Sequence, residues 1–160
     1  MKYMIREMNE SEYPYLLDFL YEAIFIPEGM EKPPRSILEA PELQVYVKDF
    51  GQSPHDRALL ASVGGKIAGA VWTRIMPDYG HIDDETPSFA IALYPQFRGQ
   101  GIGTALMKNM LEALNHAGYK QASLSVQKQN RAAALYQRLG FEIIGETEEE
   151  YLMRFRISDR

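Results

Sequence analysis

The chain has 160 residues, a net charge of −5, 46% hydrophobic and 24% charged residues, and no cysteine. That length suits one domain, expected over 1–160, with material for a sizeable core. The lack of cysteine excludes disulfides, thiolate metal ligands and a cysteine nucleophile, and the acidic balance disfavours nucleic acid while suiting a cationic partner. No run of about 18 apolar residues occurs, and the opening Met-Lys-Tyr-Met-Ile-Arg-Glu lacks a secretion-signal core. A cytoplasmic location without a membrane partner is the resulting expectation.

Residues 3–8 read as a first strand. Asn9-Glu10-Ser11 offers cap chemistry, and Tyr15, Leu16, Phe19, Leu20 and Ile24 recur at helical spacing from Ser11 until Pro27-Glu28-Gly29 breaks the pattern. A second helix is expected over 35–50, interrupted by Pro41. Strands at 57–63 and 66–75 are joined by Gly64-Gly65, a two-residue hairpin signal. A polar, acidic loop fills 77–87. A strand at 88–94 then precedes a helix over 101–117, stopped by Gly118. The rest alternates: strand 121–126, helix 130–139, strand 141–146, an acidic turn Thr147-Glu148-Glu149-Glu150, and strand 151–157. The pattern is α/β, and most strands read as buried on both faces or alternate only weakly.

The stretch Arg98-Gly99-Gln100-Gly101-Ile102-Gly103 lies between the strand-like run ending at Tyr94-Pro95 and a helix whose apolar stripe is Ile102, Leu106, Met110 and Leu114. Glycines permit positive φ and a close approach to bare backbone. The first helical turn leaves N–H groups unpaired and carries partial positive charge, so a phosphate or diphosphate suits it. Arg98 adds a forked cation. A Walker A loop and a dinucleotide fingerprint both need a further glycine at 104 or 106, and those residues are Thr104 and Leu106. What remains is R-x-x-G-x-G at Arg98, Gly101 and Gly103. Downstream, Asn130 is a good helix cap, three alanines favour helix, and Gly140 stands at its stop, in the pattern N-x-x-A-x-L-Y-x-x-L-G-F.

Together these motifs resemble the acyl-CoA loop and the last core helix of the GNAT superfamily of N-acetyltransferases, over roughly 57–157. The resemblance implies a mixed, mostly antiparallel central sheet of six to seven strands flanked by about four helices, with strands 4 and 5 splayed. It implies acetyl-CoA as co-substrate, no metal, and a small amine or peptide amine as acceptor; a homodimer is an assembly the family allows. The diphosphate would rest on Gly99, Gln100, Gly101, Ile102, Gly103 and Thr104 beside Arg98. Backbone groups of Leu93 and Tyr94 would bond the pantetheine amides as an added strand does, or else serve sheet pairing alone. Asn130 would bond the arm or cap its helix, and Ala133 and Tyr136 complete the cofactor set.

Direct acyl transfer to an amine needs a neutral nucleophile and a proton for the leaving thiolate. Tyr136 matches the family's general acid, and a tyrosine, with a pKa near about 10, holds its proton at neutral pH; packing beside Leu135 and Leu139 is the alternative role. Backbone N–H groups at 88–94 would serve the oxyanion. That strand carries no carboxylate, so the base is sought nearby: Glu85 is the candidate carried forward, with His81, Asp83, Asp84, Glu22 and Glu28 as others, each more readily read as a solvated charge. Tyr13, Tyr15, Tyr21, Phe25, Trp72 and Tyr79 are available as aromatic walls. A CoA-binding sensor without turnover, or a module for another phosphate ligand, are the rival readings.

Overall fold

Among the described residues seven strands form one sheet in the order β1-β2-β3-β4-β5-β7-β6. They are β1 (Tyr3–Glu7), β2 (Arg57–Val63), β3 (Lys66–Arg74), β4 (Ser88–Leu93), β5 (Gln121–Gln127), β6 (Glu142–Glu146) and β7 (Glu150–Arg156). The computed structural model describes residues 2–157; Met1 and 158–160, the ends of the expected 1–160 domain, lie outside the described residues. Neighbouring strands run antiparallel except β4 and β5, which are parallel. Four α-helices accompany them among the described residues: α1 (Tyr15–Ala23), α2 (Pro41–Gln44), α3 (Ile102–His116) and α4 (Ala132–Leu139).

Local chemistry explains the boundaries. Gly64 and Gly65 both take positive φ, 57° and 81°, which lets a two-residue turn follow the twist of β2 and β3. Gly118 and Gly140, at φ 90° and 116°, stop α3 and α4 with left-handed residues. The expected second helix over 35–50 is a 3-10 turn at Arg35–Glu39, the short α2, and further turns to Phe50. Pro41 opens α2 instead of interrupting a helix, because Ala40 before it is held extended at ψ 137° by the proline ring. The first helix likewise begins at Tyr15 rather than Ser11, after a separate turn at Glu10–Glu12. β1 and β6 are mostly exposed, unlike the double burial expected, because they are the rims of the sheet and have one neighbour each.

Alternation along the strands sorts side chains into two layers. Val71, Phe89, Leu124, Val126 and Met153 pack under the stripe of α3 and under α4. Leu60, Ala70, Trp72 and Ala92 pack under α1 and the 35–50 segment. The second layer is pinned by two polar anchors on β3. The Trp72 indole N–H donates to the Tyr46 carbonyl at 3.0 Å. Arg74, nearly buried, donates to both Asp56 carboxylate oxygens at 3.1 Å and to the carbonyls of Val45 and Lys48 at 3.1 and 2.9 Å. A segment too short and proline-broken to be a stable helix alone is thereby held against the sheet.

Arg74→Met keeps the stem's packing but strands a carboxylate whose side chain is 1% exposed. It is expected to lower stability by about 3 kcal/mol, measured by urea unfolding, since an unpaired buried charge remains. A change within about 0.5 kcal/mol, the range of ordinary surface substitutions, removes this pair from the account of the segment.

Candidate active site at the parting of two strands

β4 and β5 meet at one bridge, Ser88 with Ser123, where the Ser123 N–H donates to the Pro87 carbonyl at 3.0 Å. Beyond it they separate. In β4 the Tyr94 N–H donates to the Ala68 carbonyl at 2.9 Å, so the even-numbered residues spend their main-chain groups on β3. The main-chain groups of the odd-numbered residues therefore face the gap, and past the bridge Ile91 and Leu93 have no partner on β5. This corrects the expectation for Tyr94: its N–H is committed to β3, and its ring packs on Phe19 at 5.1 Å. Leu93 lies on the open edge, joined by Ile91, with its carbonyl accepting from Arg98 Nε.

At the end of β4 the chain turns through Pro95–Phe97 and enters the glycine loop. Gly99 and Gly101 take φ 74° and 85°. A Cβ on either would meet no protein atom within 4 Å, so the glycines answer to the backbone conformation and leave the space above them open. Among the described residues, the N–H groups of Gly99, Gln100, Gly101, Ile102, Gly103 and Thr104 donate to no backbone carbonyl; the first bond of α3 is Ala105 N–H to the Gly101 carbonyl at 3.2 Å. Six consecutive free amides at a helix start form an anion cradle. The Ile102 side chain is fully buried, so only its main chain serves the loop. Arg98 donates through Nε to the Leu93 carbonyl at 3.0 Å, and its Nη2 lies 3.3 Å from a Glu22 carboxylate oxygen.

Two cavities open beside the parted strands. One, of about 420 Å³, runs between the end of α1, Ile91–Leu93 of β4, Arg98 and α4. The other, of about 250 Å³, lies among Phe25, Tyr46, Ala90, Ser125, Gln127 and Glu150. Ile91, Asn130 and Tyr136 line both, so the cavities adjoin there. Tyr136 is 8% exposed, and burial pushes its phenol up to about 12. Asn130 accepts the Ala132 N–H at 2.9 Å through Oδ1, capping α4. Ala132 and Leu135 face the larger cavity, whereas Ala133 packs on the core and lines neither.

Glu85 is not brought to this centre. Asp83 accepts the Glu85 N–H at 2.9 Å and the Thr86 hydroxyl at 2.8 Å, which turns the loop so that Glu85 is exposed and lines a separate cavity with His55 and Lys120. The same loop carries Asp78 and Gly80 over the bridge instead. Asp78 lies 3.2 Å from the Tyr46 hydroxyl and 3.3 Å from Ser88 Oγ; Ser123 Oγ donates to the Gly80 carbonyl. Burial raises the Asp78 carboxyl and, with Asp78 beside it, raises the Tyr46 phenol. Sequence reasoning singled out none of Tyr46, Asp78 and Glu150. The alternation of Ser123, Ser125 and Gln127 along β5 was the one available signal of a polar face there. Of the aromatic walls considered, Tyr21 and Phe25 line these cavities, while Trp72 is core.

A family model described as the Acetyltransferase (GNAT) family matches residues 7–141. The chain belongs to that family. It is 36% identical over 97 residues to the ribosomal protein bS18-alanine N-acetyltransferase of Escherichia coli, covering 59% of this chain and 62% of that protein. It is 26% identical over 110 residues to a mycothiol acetyltransferase of Pseudarthrobacter chlorophenolicus, 68% of this chain but 34% of that protein. The chain thus spans about a third of that relative. In fold it resembles the PaiA N-acetyltransferase of Thermoplasma acidophilum, solved in complex with coenzyme A, with a TM-score of 0.71 over 98% of this chain and 99% of that one at 17% identity.

Gly101→Val forces a branched residue to φ 85° and fills the open side of the cradle. Coenzyme A affinity, measured by calorimetry, is expected to fall by about tenfold or more, equivalent to about 1.4 kcal/mol. Retained affinity places the diphosphate elsewhere.

Proposed function

We propose that this protein transfers the acetyl group of acetyl-CoA to a primary amine, by direct attack while both substrates are bound. The observation that carries the reading is the pair of cavities meeting at Tyr136, the larger of them lined by Arg98, the residue that leads into the six free amides of Gly99 to Thr104. Acetyl-CoA enters as a substrate. Its diphosphate suits the amides of Gly99 to Thr104, and its extended arm suits the unpaired edge of Ile91 and Leu93. The smaller cavity then takes the amine from the other side of Tyr136. The names of the relatives, one acting on an alanine of a ribosomal protein, support an amine acceptor. The composition, free of cysteine, supports work in the cytoplasm.

Chemically, the N–C bond forms as the amine attacks the thioester carbonyl, and the C–S bond then breaks. The open N–H groups along β4 face the place where the carbonyl oxygen becomes negative. Tyr136 gives its phenolic proton to the departing thiolate. Burial keeps that proton in place until pH approaches about 12, so the acid is present throughout the neutral range.

Tyr136→Phe is expected to lower kcat by about 10²-fold while coenzyme A affinity stays unchanged by calorimetry. In the unsubstituted protein the acid form of Tyr136 is lost only as pH rises through about 12, so no alkaline fall in kcat traceable to this phenol appears below that. Steady thiol release from acetyl-CoA, followed with 1,4-diaminobutane and a peptide bearing an amino-terminal alanine, measures both. Binding of acetyl-CoA with no thiol release for any amine overturns the transferase reading in favour of a sensor; equal kcat in Tyr136→Phe removes the phenol from the mechanism.

A further inference from the structure

We propose that Glu150, at the start of β7, is the base that takes the proton from the incoming ammonium group, with Tyr46 and Asp78 as positioning residues. This rests on the transferase reading above. Among the described residues, Glu150 is the single charged side chain lining the 250 Å³ cavity, and the same cavity is lined by Tyr136. β4 supplies no acid to this space: its residues lining the cavity are Phe89, Ala90 and Ile91.

The partners of Glu150 set it apart from Glu142 and Glu146 of its hairpin, and its place in the cavity lining sets it apart from Glu148 and Glu149. Glu142 is paired with Arg154 at 2.7 Å, and Glu146 with Lys128 at 2.5 Å. Glu150 has no cation partner among the described residues; its side chain has one long contact, 3.4 Å from the Gln127 amide. Its backbone is fixed by Thr147, whose Oγ1 accepts the Glu150 N–H at 3.0 Å and whose N–H donates to the Glu150 carbonyl at 2.8 Å. A carboxylate on a fixed stretch of backbone thus lines the cavity without a counter-ion, and an alkylammonium supplies one. Burial, then Glu149 and Asp78, raises the Glu150 carboxyl above the ordinary carboxylate range, which makes it a better proton acceptor. The groups around it are Asp78 from the loop after β3, Tyr46 from the segment after α2, Gln127 on β5, Glu149 in its own turn and Tyr136 on α4.

Proton balance closes on these groups. The ammonium has three protons and the product amide one. The first passes to Glu150, freeing the nitrogen lone pair that forms the N–C bond. As the C–S bond breaks, the thiolate takes the Tyr136 proton, and the second nitrogen proton restores that phenol. Glu150 returns its proton to water after product leaves. Tyr46 touches the same cavity and is tied by its hydroxyl to Asp78 and by its carbonyl to Trp72, so it can fix where the amine sits without exchanging a proton with it.

Glu150→Gln tests the assignment, with thiol release from acetyl-CoA and 1,4-diaminobutane measured across pH. In the unsubstituted protein kcat/KM reaches its plateau just above the carboxylate range, well below the pKa of the amine. In Glu150→Gln, kcat at neutral pH is expected to fall by about 10²-fold, and kcat/KM to climb with pH until the amine deprotonates by itself, where the two proteins converge. Coenzyme A affinity and melting temperature serve as controls for folding. Glu150→Asp keeps the charge but withdraws it by one methylene, and an intermediate rate with the low-pH plateau intact is expected. Turnover in the unsubstituted protein with an unchanged rate and pH profile in Glu150→Gln, or full activity in Glu150→Asp beside a misfolded Glu150→Gln, overturns the assignment and leaves the transferase reading standing. No turnover in the unsubstituted protein with any amine overturns both.

Discussion

Two parallel strands that pair once and then part are the constraint on which this architecture turns. A continuous ladder between β4 and β5 would use the main-chain groups of Ile91, Leu93, Ser125 and Gln127 and close the space between them. One bridge at Ser88 and Ser123 joins the halves of the sheet, and the Gly80 carbonyl, accepting from Ser123, lies across it. Both cavities follow from this geometry, and so does their common wall at Tyr136 and Asn130. The hydroxyls of Ser88 and Ser123, 3.2 Å apart and buried, bond to each other and so avoid the cost of unsatisfied polar groups at that seam.

The two layers serve different ends. The α3 and α4 side is a conventional apolar core, in which the start of α3 supplies the amide cradle and the middle of α4 supplies Tyr136. The opposite side is less regular. There, short turns between 35 and 50 are fastened by Trp72 and Arg74, and the fastening delivers Tyr46 to the smaller cavity. A polar wall on the smaller cavity is obtained by anchoring an irregular segment to a rigid strand through its carbonyls.

Much of this was legible in the chain. The strands, the Gly64-Gly65 turn, the stripe of α3, the glycine loop and the position of Tyr136 all rest on local signals: period, turn chemistry and capping. The segment 35–50 was misread because apolar spacing favours a helix there, whereas Pro41 and the tertiary bonds of Arg74 decide otherwise. Tyr94 was assigned to the open edge because parity along β4 depends on its register with β3, a non-local quantity. Glu85 and Glu150 are alike in sequence, each a glutamate among acids in a turn. What separates them is the Asp83 turn that carries one away and the β5–β7 pairing that brings the other beside Gln127. No spacing rule contains that difference.

Ile91 and Leu93 give this sheet an internal rim, of the kind that elsewhere recruits stray strands into aggregates. Here the danger is contained by confinement. Arg98 already satisfies the Leu93 carbonyl, and α1 and α4 flank the gap, so a full polypeptide with its side chains meets walls on both sides. The proposed occupant, a narrow chain carrying amides but no peptide side chains, would meet less of those walls. On that proposal a hazard of exposed backbone becomes a filter for slenderness.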